Sequence, residues 1–439
     1  MRSLLVLAYI SSYPPLHDHA FLLLLLIGSH HSGYKVHVLE NDNNIDMMQI
    51  INDLAYTRMS GTENDEVKCK EYLVGKFRLL GIEPTIEPVS WSRFPTNVLI
   101  RLVVAFIFCG LLGGLIFEWM DLALLNLIFI IMIIIILLSV IGAQQSKIDW
   151  FSKLGKMEQT HNIIAKLPAK NMDEEKATNI VFVAHHDTKT QTVTTIIRSI
   201  SYIIGLFAAL VMGILFVTSS ILKLVGILPS SFTGIKWTLV VIMIASAPFL
   251  FILLANKAKE GTSLGSLDNA TGMAIVLKLL EHFGPNPLGN TNLWFLITGA
   301  EEWGMDGAID FWKKHGVESK ELNPATTIVF NFDMVAQELS YIEKFGMPRR
   351  KPYNKQLNAI LSKTASDLGI SFNGFWLPML GTTDGWIFKV HGCDTADIIT
   401  EKTARYTHSG RDTPAVCDEK TMKEAVALTI NTVEKIETR

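Results

Sequence analysis

Charge is scarce in this chain. Asp, Glu, Lys and Arg supply only 18% of its 439 residues. Mean hydropathy is +0.30, too apolar for an average soluble enzyme. The formal charge of -3 and the lack of any basic stripe exclude a nucleic-acid partner. Cysteine is sparse too. Cys69, Cys109, Cys393 and Cys417 form no C-x-x-C pair, which excludes a zinc knuckle or a thioredoxin-like site. Cys109 sits in an apolar run and reads as a small core residue. Pairing of Cys393 with Cys417 stays open at this level.

The missing charge is explained by four long apolar runs: Val98–Phe117, Leu122–Ala143, Ser199–Leu222 and Trp237–Ala255. About twenty residues at 1.5 Å rise cross a hydrocarbon core. Only Glu118–Asp121 joins the first pair, and Lys223–Lys236 joins the second. The expectation is two helical hairpins in a lipid bilayer. A buried hairpin of a soluble protein would keep a wet face, and Ile128–Leu138 contains no polar residue. Pro248 is compatible, because membrane helices tolerate proline. Ionisable side chains are nearly absent inside the runs, which argues against a transporter.

Outside the hairpins the pattern alternates. Asn179–Ala184, Leu293–Thr298, Thr327–Phe332 and Asp397–Thr400 read as strands, and Glu63–Leu80, Ala270–Phe283, Gly307–His315 and Glu419–Ile436 as helices. Such alternation predicts an α/β fold with a mixed, largely parallel sheet sandwiched by helices. The N-terminal segment 1–49 is poorly defined: Leu4–Ile10 and Phe21–Ile27 are apolar but short for spans. The catalytic domain is then expected in three parts, 50–97, 144–198 and 256–439, interrupted by hairpins at 98–143 and 199–255.

Five pieces carry chemistry. His185-His186-Asp187 follows a strand, and residues i and i+2 of an extended chain face one way, so His185 and Asp187 share a side. A carboxylate beside an imidazole is a common support for a metal-bound histidine. Asp268-Asn269-Ala270-Thr271-Gly272 precedes a helix, where Asp268 or Asn269 is equally a plain N-cap. Glu301-Glu302 ends an apolar strand, and two adjacent carboxylates there are costly to desolvate without a compensating cation. Asp333 ends another strand. His408, before Asp412-Thr413, is by itself an ordinary surface histidine.

In this order the pieces resemble the di-zinc aminopeptidases of metallopeptidase clan MH, relatives of bacterial leucyl aminopeptidase and glutamate carboxypeptidase. The resemblance runs from about Ile50 to the C-terminus and skips the hairpins. Arg58-Met59-Ser60-Gly61-Thr62 is similar to the family's lead-in to its first helix. It implies a zinc-exopeptidase fold and two Zn2+, other divalent metals being open. It also implies metal ligands His185, Asp268, Glu302, Asp333 and His408, with Asp268 bridging. Glu301 is implied as general base toward a metal-bridging water, Asp187 as the residue orienting His185, and the bond after Asp268 as cis. Gly381–Trp386, with Asp384, resembles a loop near the family's substrate cleft. The chain departs from soluble members in the inserted hairpins, one of them among about eighty residues between H-x-D and D-N.

The expected function is therefore that of a membrane-bound zinc exopeptidase, most directly an aminopeptidase, with a peptide as substrate and the bilayer as its other partner. The alternatives are a carboxypeptidase or dipeptidase on the same site, or a catalytically silent receptor or scaffold. A silent relative would be expected to lose ligands, and none is lost here; a one-zinc cyclotransferase is disfavoured for the same reason. Nothing in the residues sets the oligomeric state. Arg93, Arg101, Lys147, Lys153 and Lys156 flank the first hairpin, and Arg198, Lys257 and Lys259 the second; only Lys223 and Lys236 sit in a tip. Basic residues mark the cytoplasmic side, so a cytoplasm-facing catalytic domain is expected.

Overall fold

The computed structural model describes residues 45–145, 154–230, 232–346, 349–354, 356–377 and 383–438. The apolar stretches Leu4–Ile10 and Phe21–Ile27, the residues Lys147 and Lys153, and Gly381 and Thr382 of the cleft-like loop lie outside them.

Elements follow the chain in this order. Helices α1 (Met47–Asp53) and α2 (Asp65–Leu79) lead to β1 (Thr85–Ser92). The apolar helices α3 (Ile100–Trp119) and α4 (Ala123–Gln145) come next, then β2 (Met157–Leu167), β3 (Thr178–His185) and β4 (Thr190–Gln191). A second apolar pair, α5 (Thr195–Leu224) and α6 (Gly234–Ala255), precedes β5 (Ala258–Lys259), α7 (Thr271–Phe283) and β6 (Thr291–Thr298). Then come α8 (Glu301–Gly304), α9 (Asp306–Trp312), β7 (Thr327–Asp333), β8 (Ser340–Phe345) and β9 (Lys351–Pro352). The chain closes with α10 (Gln356–Leu368), β10 (Asn373–Leu377), α11 (Asp384–Val390), β11 (Asp394–Ile399) and α12 (Glu419–Glu437).

Among the described residues the main sheet runs β1-β2-β6-β3-β7-β11-β8-β10, with β9 on β8. Its centre, β6-β3-β7-β11, is parallel, while β2 is antiparallel to both β1 and β6 and β8 is antiparallel to β11. The fold is thus the mixed, largely parallel α/β sheet expected. Period-two alternation splits the core between two layers. Ile180, Phe182 and Ala184 of β3 pack with α1, α7, α10 and α12. Val181 and Val183 of the same strand pack on the other face with Phe311 and Trp312 of α9 and Phe388 of α11. Burial on both faces is why β3, β6 and β7 are nearly uninterrupted apolar runs. All four cysteines are free.

The observed elements correct several sequence boundaries. The last parallel strand begins at Asp394 rather than Asp397, because Thr395 and Asp397 are polar yet buried. The expected helix Gly307–His315 is α9, which gives way at Lys313 to a wider turn through Glu318. Helix α5 starts four residues before Ser199.

The four apolar helices pack together around Val104, Ile107, Leu111, Ile130, Met212, Phe216, Leu239 and Leu250. Among the described residues, Pro95–Trp119, Thr195–Leu224 and Gly234–Ala255 are helices long and apolar enough to cross a membrane; α4 is apolar over Ala123–Ser139. A polar cluster ties the far ends of the pairs. Glu118 accepts from Ser219 and Lys223 at 2.7 Å each. Asp121 binds Lys223 and Lys236 at 3.0 Å each.

Candidate metal centre

Parallel strands place their carboxyl ends together, and there an α/β sheet collects ligands. His185 is the last residue of β3 and Asp333 the last of β7, while Glu301 and Glu302 open the turn just past β6. His408 lies in the segment after β11, with φ of +59°. Asp268 enters from the irregular turn Ser266–Ala270 ahead of α7, and the Asp268–Asn269 peptide is cis.

These residues converge. His185, Asp268 and Asp333 offer ligand atoms within 4.8 Å of one another, and so do Asp268, Glu302 and His408. Asp268 directs Oδ1 at His185 Nε2 (3.2 Å) and Oδ2 at His408 Nε2 (3.3 Å). Asp333 Oδ1 is 3.7 Å from His185 Nε2, and Glu302 Oε2 is 2.8 Å from His408 Nε2. Asp187 meets His185 Nδ1 through its carbonyl oxygen at 3.1 Å and its carboxylate at 3.5 Å. With the ring proton on Nδ1, His185 Nε2 is a bare lone pair facing two carboxylates. Acceptors facing acceptors in a buried site call for a proton or a metal cation between them. His185 Nε2, Glu302 Oε1, Asp333 Oδ1 and His408 Nδ1 are buried without a hydrogen-bond partner. Imidazole with carboxylate suits zinc and similar divalent ions, so the donor set fits the implied metals.

Electrostatics separate the carboxyl groups. Burial opposes the charge of Asp268, but the adjacent imidazoles of His185 and His408 hold its carboxyl far below the usual range. Burial raises Glu301 well above the usual range; His185 opposes this, and Glu302, Asp333 and Asp384 reinforce it. Glu301 Oε2 stands 3.9 Å from His185 Nε2, at the edge of the Asp268–Asp333 group. A carboxylate of raised basicity beside a candidate ion is suited to take up a proton.

The loops are braced from behind. Asp187 accepts the Glu301 and Glu302 amides at 3.1 and 3.3 Å. Asp412 accepts the Leu267 amide at 2.6 Å and the Asp268 amide at 3.4 Å, which fixes the Asp268 turn. Fully buried Arg58 donates to the carbonyls of His186, Leu264 and Gly265 at 2.8–2.9 Å, uniting three loops. Asp384 is buried at the start of α11 and accepts from Thr298, so it packs beneath the centre.

Two features escaped the sequence. Lys189, 9% exposed, donates to the Glu302 carbonyl at 2.6 Å and pairs with its carboxylate at 2.9 Å. It follows H-x-D-T directly, and that position was its only signal. Behind the centre, Glu66, His161 and His186 form a third buried group with metal-binding spacing. Its histidine rings stack at 4.6 Å, and Glu66 accepts from Gly61 N (2.6 Å) and Thr160 Oγ1.

The fold is that of the aminopeptidase from Aneurinibacillus sp. strain AM-1: TM-score 0.50, 13% identity, over 89% of this chain and 94% of that one. Residues 250–433 match the family model of Peptidase family M28. This part of the chain is therefore similar to that family. The matched stretch holds Asp268, Glu301, Glu302, Asp333 and His408, and leaves out His185 and Asp187. A glutaminyl cyclase from Porphyromonas gingivalis is also similar, with TM-score 0.49 and 13% identity over 90% of this chain and all of that one (100%). The zinc aminopeptidase BSAP from Bacillus subtilis gives TM-score 0.40 and 16% identity over 64% of this chain. The match spans about half (52%) of that enzyme. Comparison with curated proteins finds no match.

Proposed function

We propose that the protein is a membrane-embedded exopeptidase working with two divalent metal ions, zinc in the first instance, and that it acts as an aminopeptidase. The observation that carries this reading is one carboxylate, Asp268, serving two buried three-residue groups, with Glu301 at their edge. His185 and Asp333 would complete one ion's site, Glu302 and His408 the other's. Two such ions would supply Lewis acidity toward a scissile carbonyl and would lower the pKa of a bound water. Glu301 takes the proton of the attacking water and returns it to the leaving amine. Asp187 keeps the His185 proton on Nδ1 and, through the Glu301 and Glu302 amides, sets the position of both glutamates. The retained ligand set speaks against a silent scaffold.

Membrane embedding is supported by the outward faces of the apolar helices. Phe207, Val241 and Ile244 are 66%, 63% and 68% exposed, an apolar belt that water would penalise.

The test is peptide cleavage by the purified full chain, with free and N-blocked substrates, before and after chelation. Release of the first residue from free peptides only, lost to chelator and restored by zinc, is expected. Cleavage of N-blocked peptides from the other end would make it a carboxypeptidase. Activity indifferent to chelator would overturn the two-metal reading.

A further inference from the structure

Both hairpins leave the sheet at the end that holds the metal centre. Strand β1 is antiparallel to β2, which is antiparallel to β6, so β1 points the same way as β6, β3 and β7. The first hairpin therefore departs from the carboxyl end of β1 and returns to the start of β2 at that same end. The second departs just past the carboxyl end of β3 and returns at β5, which pairs with β4. Metal-centre loops and hairpin bases are bonded directly. Thr96, at the entry to the first hairpin, donates to the carbonyl of Trp303, the residue after Glu302, at 2.9 Å. Thr195, the first residue of α5, donates to the carbonyl of Thr407, the residue before His408, at 3.2 Å. The Gln191 amide donates to the His408 carbonyl at 3.0 Å. Asn97 clasps the two bases together, exchanging hydrogen bonds with both the carbonyl (2.9 Å) and the amide (2.8 Å) of Ala258.

From this arrangement we infer that the substrates are peptides anchored to the bilayer, with the scissile end only a few residues from its surface. The inference rests on the exopeptidase reading and names its substrate class. Loops that carry Glu302 and His408 touch the first turns of the membrane helices, so the centre lies at the bilayer surface. A soluble peptide must diffuse into the gap between the sheet end and the lipid. An anchored one is delivered there, and its short tether raises the effective concentration of its free end. Had the centre been at the other end of the sheet, a tether would have to pass the whole domain. Strand β3 alone has 8 residues; at about 3.3 Å each, that is about 26 Å.

Full-length protein in liposomes is given peptides of one N-terminal sequence, joined at the far end to an apolar membrane anchor through spacers of roughly 3 to 15 residues, where each residue reaches at most ~3.3–3.6 Å. The same sequence without an anchor is the comparison. The inference expects efficient cleavage at the shortest spacers, with kcat/KM at least ~10-fold above the soluble peptide at about mM effective concentration. Cleavage of soluble and long-spacer peptides, with spacers under about eight extended residues resisting, overturns the inference and leaves the exopeptidase reading standing. No cleavage of any peptide overturns both.

Discussion

Two adjacent glutamates are assigned different work here, and single substitutions separate them. Glu301 is buried with a raised carboxyl, while Glu302 lies against His408. Glu301→Gln should lower kcat about 10²–10⁴-fold, the usual worth of general-base action, with bound metal unchanged by elemental analysis. Glu302→Gln should instead lose one ion. Equal metal loss in both variants, or an active Glu301→Gln protein, would reverse the assignment. Lys189 makes a second residue-scale prediction. Its ammonium sits on the same Glu302 oxygen, Oε2, that meets His408. A fixed positive charge there repels an incoming dication. Lys189→Met keeps the stem and removes the charge, so the Glu302–His408 ion should bind at least ~10-fold tighter, about 1.4 kcal/mol. Calorimetric metal titration reads this without any turnover, and an unchanged second affinity would show that Lys189 merely braces the loop.

At the scale of elements, legibility followed burial symmetry. Strands β3, β6 and β7 announce themselves because both faces are covered, and His185, Glu301, Glu302 and Asp333 at their ends were readable with them. Strand β1 passed unnoticed: it is the sheet edge, carries Pro88, and is exposed at Thr85, Ile86 and Pro88. Strand β2 hides for the opposite reason. Its Thr160, His161 and Asn162 are polar yet buried: Thr160 donates to Glu66, Asn162 to the Gly307 carbonyl, and the His161 carbonyl meets the His186 ring, all from distant segments. No local pattern encodes such partners. The Glu66 end of this network should titrate. Burial raises Glu66 from 4.5 to about 7, with Thr160 and Gly61 opposing. The folded protein thus holds this proton more tightly than the unfolded chain. Its contribution is complete below pH 4.5 and is lost as pH rises through about 7. Glu66→Gln cannot titrate. The Tm of the parent, relative to this variant, should therefore fall between pH 5 and 7.5, by the equivalent of about 3 kcal/mol at most. A pH-independent difference would mean that Glu66 stays charged in the fold.

At the scale of the whole molecule, insertion and catalysis share one constraint. Each hairpin returns the chain to the side it left, so three separated sequence segments can build one sheet. Crossing a bilayer twice per hairpin would keep β1, β3 and the 256–439 segment on one face. The structure adds a reason to settle which face that is. Lys223 and Lys236, the two tip lysines that weaken the charge bias of the second hairpin, are engaged by Glu118 and Asp121 of the first. They read as part of a partly buried tie between the hairpins. Among the described residues, the remaining basic ones near the spans, Arg93, Arg101, Lys156, Arg198, Lys257 and Lys259, lie at the bases. Basic residues near span ends are retained on the cytoplasmic side, so the catalytic domain is expected in the cytoplasm, with both tips across the membrane. Sealed vesicles of known orientation test this. Protease added from the exoplasmic side should spare the catalytic domain until the membrane is permeabilised, while protease added from the cytoplasmic side digests it at once. Digestion from the exoplasmic side of intact vesicles would invert the topology, and with it the compartment in which anchored peptides meet the metal centre.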